Sequence, residues 1–135
     1  MDKQHNISNS EWKIMRVLWD NGNNNPMDEF MELKNIIAEL QPETEWSIST
    51  IRTMLLRLTK KDIVGADKSS GVYKYFPKVS EKECASTETK SFLEKLYNGS
   101  VSNFLSCLIE DGAVSSEERR EIIDIIESID MEKKG

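Results

Sequence analysis

Trp46-Ser47-Ile48-Ser49-Thr50-Ile51-Arg52-Thr53-Met54-Leu55-Leu56-Arg57-Leu58-Thr59-Lys60-Lys61 runs directly into Asp62-Ile63-Val64-Gly65-Ala66-Asp67-Lys68 and, after Ser69-Ser70-Gly71, into Val72-Tyr73-Lys74-Tyr75-Phe76-Pro77. The first run predicts a helix capped by Ser47. At about 100° per residue, Ile48, Ile51, Met54, Leu55 and Leu58 fall within an arc of about 120°, a face that must be buried. Ser49, Arg52, Thr53, Leu56, Arg57 and Lys60 stand opposite it. After Lys61 the period changes, and two short β-compatible runs around a small polar turn predict a hairpin.

Upstream, Ile7-Ser8-Asn9-Ser10-Glu11-Trp12 holds a capping box, Ser8 with Glu11, and places Ile7 and Trp12 at the positions of a hydrophobic staple. The helix it starts carries Trp12, Ile14, Met15, Val17, Leu18 and Trp19 and is expected to stop at Asn21-Gly22, ahead of the loop composition Asn23-Asn24-Asn25-Pro26. Phe30, Leu33, Ile37 and Leu40 then mark one face of a second helix closed by Pro42. Helix, helix, helix, hairpin is the order of a winged helix-turn-helix, whose last helix enters the major groove while the hairpin lies on the DNA backbone.

Downstream the pattern is helical to the end. Ser80 with Glu83 caps a helix bearing Phe92, Leu93 and Leu96, which Asn98-Gly99 ends. A second bears Val101, Phe104, Leu105, Leu108 and Ile109 and closes at Asp111-Gly112. The third starts at the box Ser115-Ser116-Glu117-Glu118 and carries Ile122, Ile123, Ile125, Ile126 and Ile129. So many isoleucines exceed what an exposed terminal helix leaves in water, and three helices make a thin core alone; a partner subunit is the expected cover. The fold class expected is therefore mainly α: a winged helix-turn-helix over 1–79, three helices plus a wing, then a three-helix dimerisation domain over 80–135. The dimer contact is assigned to Leu93, Leu96, Phe104, Leu108, Ile122, Ile125, Ile126 and Ile129.

A length of 135 residues fits one compact unit or two very small ones and excludes a large multi-domain enzyme. With 31% charged residues and no apolar run long enough to span a bilayer, no membrane insertion is expected. The stretch MDKQHNISNSEWK has no signal-peptide core, which points to the cytoplasm and to reduced, structural Cys84 and Cys107. The net charge of −6 disfavours nucleic acid as an average, but its arrangement does not. Residues 1–45 hold four Lys/Arg and nine Asp/Glu, net −5; residues 46–78 hold seven and two, net +5; residues 79–135 hold seven and thirteen, net −6. A cationic island between acidic flanks is the footprint that a duplex phosphate backbone selects.

Catalysis finds little to use. The one histidine, His5, lies in a polar N-terminal stretch, and the chain has no CxxC, HExxH, GxSxG or phosphate-cradling glycine loop. Neither a metal nor a cofactor is expected. The acidic pairs Asp28-Glu29 and Glu117-Glu118 point about 100° apart on a helix and read as capping and solvation. The tryptophans Trp12, Trp19 and Trp46 read as packing rather than as a platform for bases. On the third helix Arg52 and Arg57 suit guanine edges or phosphates, Ser47, Ser49, Thr50 and Thr53 suit bases or backbone, and Leu56 suits a thymine methyl. Lys60, Lys61, Lys68 and Lys74 extend this set toward phosphates. The competing readings are an ordinary solvated helix face, or a winged helix that binds proteins without touching DNA.

The stretches Ile7-Ser-x-x-Glu11-Trp12-x-x-Met15 with Trp19, Trp46-Ser47-x-x-Thr50-Ile51-Arg52-Thr53 through Arg57-Leu58-x-Lys60-Lys61, Val72-Tyr73-x-Tyr75, and Thr89-Lys90-x-Phe92 to Tyr97-x-Gly99 resemble the penicillinase repressor and methicillin-resistance regulator family. The resemblance covers most of the chain. It implies a homodimeric winged-helix repressor of double-stranded, palindromic operators upstream of β-lactam-resistance genes, released when a membrane sensor-protease causes cleavage in the dimerisation domain. Three departures stand out. Ile48 and Ser49 occupy positions where the family commonly has Pro and often Lys. The stretch between Trp19 and Ile36 is several residues longer. The family's Asn-Phe cleavage bond aligns with Cys107-Leu108, while a literal Asn103-Phe104 lies one turn earlier. The cysteine cluster of a related copper-responsive branch is absent.

Overall fold

The computed structural model describes residues 6–24 and 30–134; His5, Pro26 and the pair Asp28-Glu29 lie outside them. The elements run α1 (Asn9–Asn24), β1 (Met31–Glu32), α2 (Leu33–Leu40), α3 (Ile48–Lys60), β2 (Val64–Asp67), β3 (Lys74–Pro77), α4 (Glu81–Tyr97), α5 (Val101–Glu110) and α6 (Ser116–Lys134). Two compact units divide this order, Met1–Glu88 and Thr89–Gly135.

In the first unit the capping box forms in both directions: the Ser8 amide donates to Glu11 Oε1 at 3.0 Å and the Glu11 amide donates to Ser8 Oγ at 3.2 Å. Helix α1 does not stop at Asn21-Gly22 but continues to Asn24; an interior glycine costs a helix only about 1 kcal/mol, which does not force an end. Ile14, Met15, Leu18, Ile36, Ile51, Leu55 and Leu58 are fully buried where α1, α2 and α3 meet, each contributing roughly 1.5 to 3 kcal/mol of burial. On α2 it is Ile36 and Leu40 that are buried, with Ile37 half-buried and Phe30 ahead of the helix. The Trp19 indole N–H donates to the Val79 carbonyl at 3.0 Å and ties α1 to the chain leaving the wing.

The sheet is antiparallel with order β1-β3-β2. Ala66 faces Tyr75 and Asp67 faces Lys74 across the hairpin, while Met31 and Glu32 face Tyr75 and Lys74 on the other side. The turn closes with the Gly71 amide on the Lys68 carbonyl at 2.9 Å, Gly71 taking φ +84° as only glycine does cheaply. This is a winged helix with a third, two-residue strand.

Cys84, 1% exposed, packs into the first unit's core. The first unit therefore reaches into α4, to Glu88, eight residues beyond the change of sequence pattern at Ser80. In the second unit Phe92, Tyr97 and Phe104 form an aromatic cluster with centroids 5.5 to 6.1 Å apart. Ser100 caps α5, and Ser115 caps α6 through the Glu118 amide at 3.1 Å. No helix among the described residues is long and apolar enough to cross a membrane.

Candidate nucleic-acid interface

Helix α3 is fixed at both ends. Ser47 Oγ accepts from the Thr50 amide at 3.1 Å and shares a hydrogen bond with Thr50 Oγ1 at 3.0 Å, so both hydroxyls are engaged with each other at the cap. At the other end the Asp62 amide donates to Thr59 O and the Ile63 amide to Leu58 O, a Schellman arrangement with Asp62 in the left-handed region at φ +65° and Ile63 buried beneath it. The helix cannot fray without breaking these contacts.

Between those ends Ser49, Arg52, Thr53, Leu56, Arg57 and Lys60 are all exposed, on the side away from buried Ile51, Leu55 and Leu58. Thr53 Oγ1 donates to the Ser49 carbonyl at 2.9 Å. Among the described residues Arg52, Arg57 and Lys60 make no ion pair. Ile48 departs from the sequence expectation. The apolar arc of α3 includes it, yet it is 47% exposed, because at the first position of the helix the arc that buries Ile51 and Leu55 has already run past the edge of the core.

Two cations of the island are paired with carboxylates of the same unit. Lys61 Nζ donates to Glu11 Oε1 and to the Asn6 carbonyl, both at 2.8 Å, and Lys78 pairs with Asp62. Glu11 is 3% exposed. Burial pushes its carboxyl up, but the Lys61 ammonium and the Ser8 donors outweigh that and hold it below the ordinary glutamate value. On the wing, Lys68 Nζ lies 4.6 Å from the centre of the Tyr73 ring, which itself stacks on Tyr75 at 6.1 Å. Lys74 is half-buried in β3, with Glu32 and Asp67 as its cross-strand neighbours on either side. The exposed cations thus concentrate on α3 and the wing tip, and exposed Val72 and Tyr73 stand beside Lys68.

In the second unit no described residue between 89 and 129 is fully buried. Leu93, Phe104, Leu108 and Ile122 are half-buried, while Leu96, Ile125, Ile126 and Ile129 are 47 to 58% exposed. Cys107 and Leu108 lie half-buried inside α5. Among the described residues no group of His, Cys, Asp and Glu side chains is placed to hold a metal ion.

The family profile described as "Penicillinase repressor" matches residues 7–128. The chain belongs to the penicillinase repressor family. It is 33% identical to the penicillinase repressor of Bacillus licheniformis over 134 residues, 99% of each chain. It is 30% identical to the methicillin resistance regulatory protein MecI of Staphylococcus aureus (strain N315) over 125 residues, 93% of this chain and 96% of that one. Among solved structures it is similar to the B. licheniformis BlaI monomeric form in complex with the blaP half-operator, with TM-score 0.50 and 34% identity over 62% of this chain and 93% of that chain. These relatives are named as repressors and regulators, and the penicillinase repressor family is a family of regulators rather than of enzymes.

Proposed function

We propose that the chain is a homodimeric repressor in which each copy lays α3 in the major groove of one half of a palindromic operator and rests Lys68 and Lys74 of the wing on the flanking phosphates. The observation that carries this reading is the face of α3 on which Arg52, Arg57 and Lys60 are exposed with no ion-pair partner among the described residues. Cations left unpaired by their own fold are the groups that release counterions from a phosphate backbone. Ser49 and Thr53 add short hydrogen-bonding side chains to that face, and Arg52 and Arg57 add bidentate forks. Lys61 contributes mainly by holding the end of α3 through Glu11. The BlaI relative binds a half-operator as a monomeric form, the unit into which a twofold operator divides.

The apolar side chains of α4, α5 and α6 form the dimer contact in this reading, since Leu96, Ile125, Ile126 and Ile129 are left about half exposed. Two half-sites read together bind far more tightly than one. The regulated genes are those of β-lactam resistance, by kinship with MecI, and the site of action is the cytoplasm. Release follows cleavage in α5 brought about by a membrane sensor-protease, at Cys107-Leu108 or Asn103-Phe104; both bonds lie within the helix, so α5 must open locally before either is cut.

The test is a gel shift of the full-length chain on the DNA immediately upstream of its own gene. A retarded complex that a duplex of scrambled sequence does not displace is expected. Equal retardation of both duplexes overturns the reading.

A further inference from the structure

Leu56 and Ile48 are the two large apolar side chains that α3 leaves in water, 54% and 47% exposed. They stand eight residues apart with Arg52 midway, so at i, i+4 and i+8 the three form one stripe about 12 Å long along the helix. Every other exposed side chain of α3 is polar or cationic. Water does not favour an aliphatic group in such a position, and the core contacts of Ile51, Leu55 and Leu58 leave neither residue a place inside.

Resting on the DNA reading above, we infer that Leu56 and Ile48 determine sequence specificity by packing on thymine methyl groups on either side of the position reached by Arg52. The 5-methyl of thymine is the apolar group that base pairs display in the major groove. A protein groove covering the same stripe is the poorer occupant: it would enclose the Arg52 guanidinium, which has no ion-pair partner among the described residues, and burying an unpaired charge is costly. On DNA the guanidinium meets guanine or phosphate while the two aliphatic groups meet methyls. Both side chains then exchange water for carbon, and thymine is favoured over cytosine and over uracil at those positions.

The experiment uses the full-length protein and the tightest duplex recovered by selection from a random-sequence pool, with each thymine replaced in turn by deoxyuridine. Loss of one buried methyl is expected to weaken binding about fourfold at two thymines in each half-site. That penalty disappears at one of them in Leu56→Ala and at the other in Ile48→Ala, and is retained in Ile48→Val. The slope of affinity against salt stays unchanged in all three variants, because no phosphate contact is lost. Both side chains are exposed, so thermal unfolding serves as the check that the variants keep the wild-type fold. Uracil penalties that are the same in the alanine variants as in the wild type, or no thymine sensitive to its methyl, overturn the inference and leave DNA binding standing. Failure to recover any preferred duplex removes the DNA reading and this inference with it.

Discussion

Glu11 and Lys61 are fifty positions apart in sequence and 2.8 Å apart in space, joining the first turn of α1 to the end of α3. The Glu11 carboxylate has two duties on one oxygen: Oε1 accepts from the Ser8 amide and from Lys61 Nζ. Its Oε2 is buried and has no hydrogen-bond partner among the described residues. Helix α3 is therefore held at its C-terminal end by the pairing of Lys61 with this buried carboxylate.

Lys61→Met should destabilise the protein by roughly 2 to 3 kcal/mol. Removing one partner of a buried pair costs up to about 5 kcal/mol, discounted here because the lysine side chain is 37% exposed. Urea unfolding measures the loss. Glu11→Gln, which keeps an acceptor for Ser8 and removes the buried charge, should cost less than Lys61→Met.

Acid should weaken the fold through the same pair. The carboxyl of Glu11 is held below its ordinary value near 4.5, so in the unfolded chain it binds a proton at higher pH than in the folded chain. Its contribution is present above the ordinary value and is lost as pH falls through the lowered one. Stability measured from about pH 5 downward should fall less steeply in Glu11→Gln than in the wild type.

Gly65→Ala should damage the wing. A Cβ at Gly65 would collide with the Phe76 ring at Cζ, and that ring is stacked on Phe30 at 4.6 Å. Overpacking of this kind costs about 1 to 3 kcal/mol. Thermal unfolding should show the loss, and the contacts of α3 with α1 should survive it.

Much of this arrangement was legible because its signals are local. Ser8 with Glu11, Ser47 ahead of Ile51 and Ser115 with Glu118 each announce a helix start within four residues, and the change from a helical to a β pattern after Lys61 announces the hairpin. What was not legible depends on distant partners. Met31–Glu32 is too short to show any alternation, and only pairing with β3 makes it a strand. Ile48 satisfies the apolar arc of α3, but whether the core extends that far depends on α1 and α2. Lys61 reads as one more cation of the island until Glu11 arrives from the other end of the unit. Cys84 draws the start of α4 into the first unit although the sequence pattern changes at Ser80.

On DNA, Arg52→Ala and Lys74→Ala should fail differently. Arg52→Ala should cost about 1 to 3 kcal/mol and relax base preference at one position. Lys74→Ala should weaken all sequences alike and flatten the salt dependence; its placement between Glu32 and Asp67 makes that effect the smaller of the two. Fluorescence titrations on matched and single-mismatch duplexes at several salt concentrations separate the two.

Sedimentation of the full-length chain with its upstream DNA, beside a variant in which Ile122 and Ile126 are both changed to Asn, bears on the whole proposal at once. The wild type should travel as two chains on one duplex and leave it as salt is raised, while the variant should be monomeric and bind far more weakly. A variant that remains two chains per duplex with undiminished affinity, or a wild type that stays monomeric and leaves the duplex unshifted at low salt, would contradict the account.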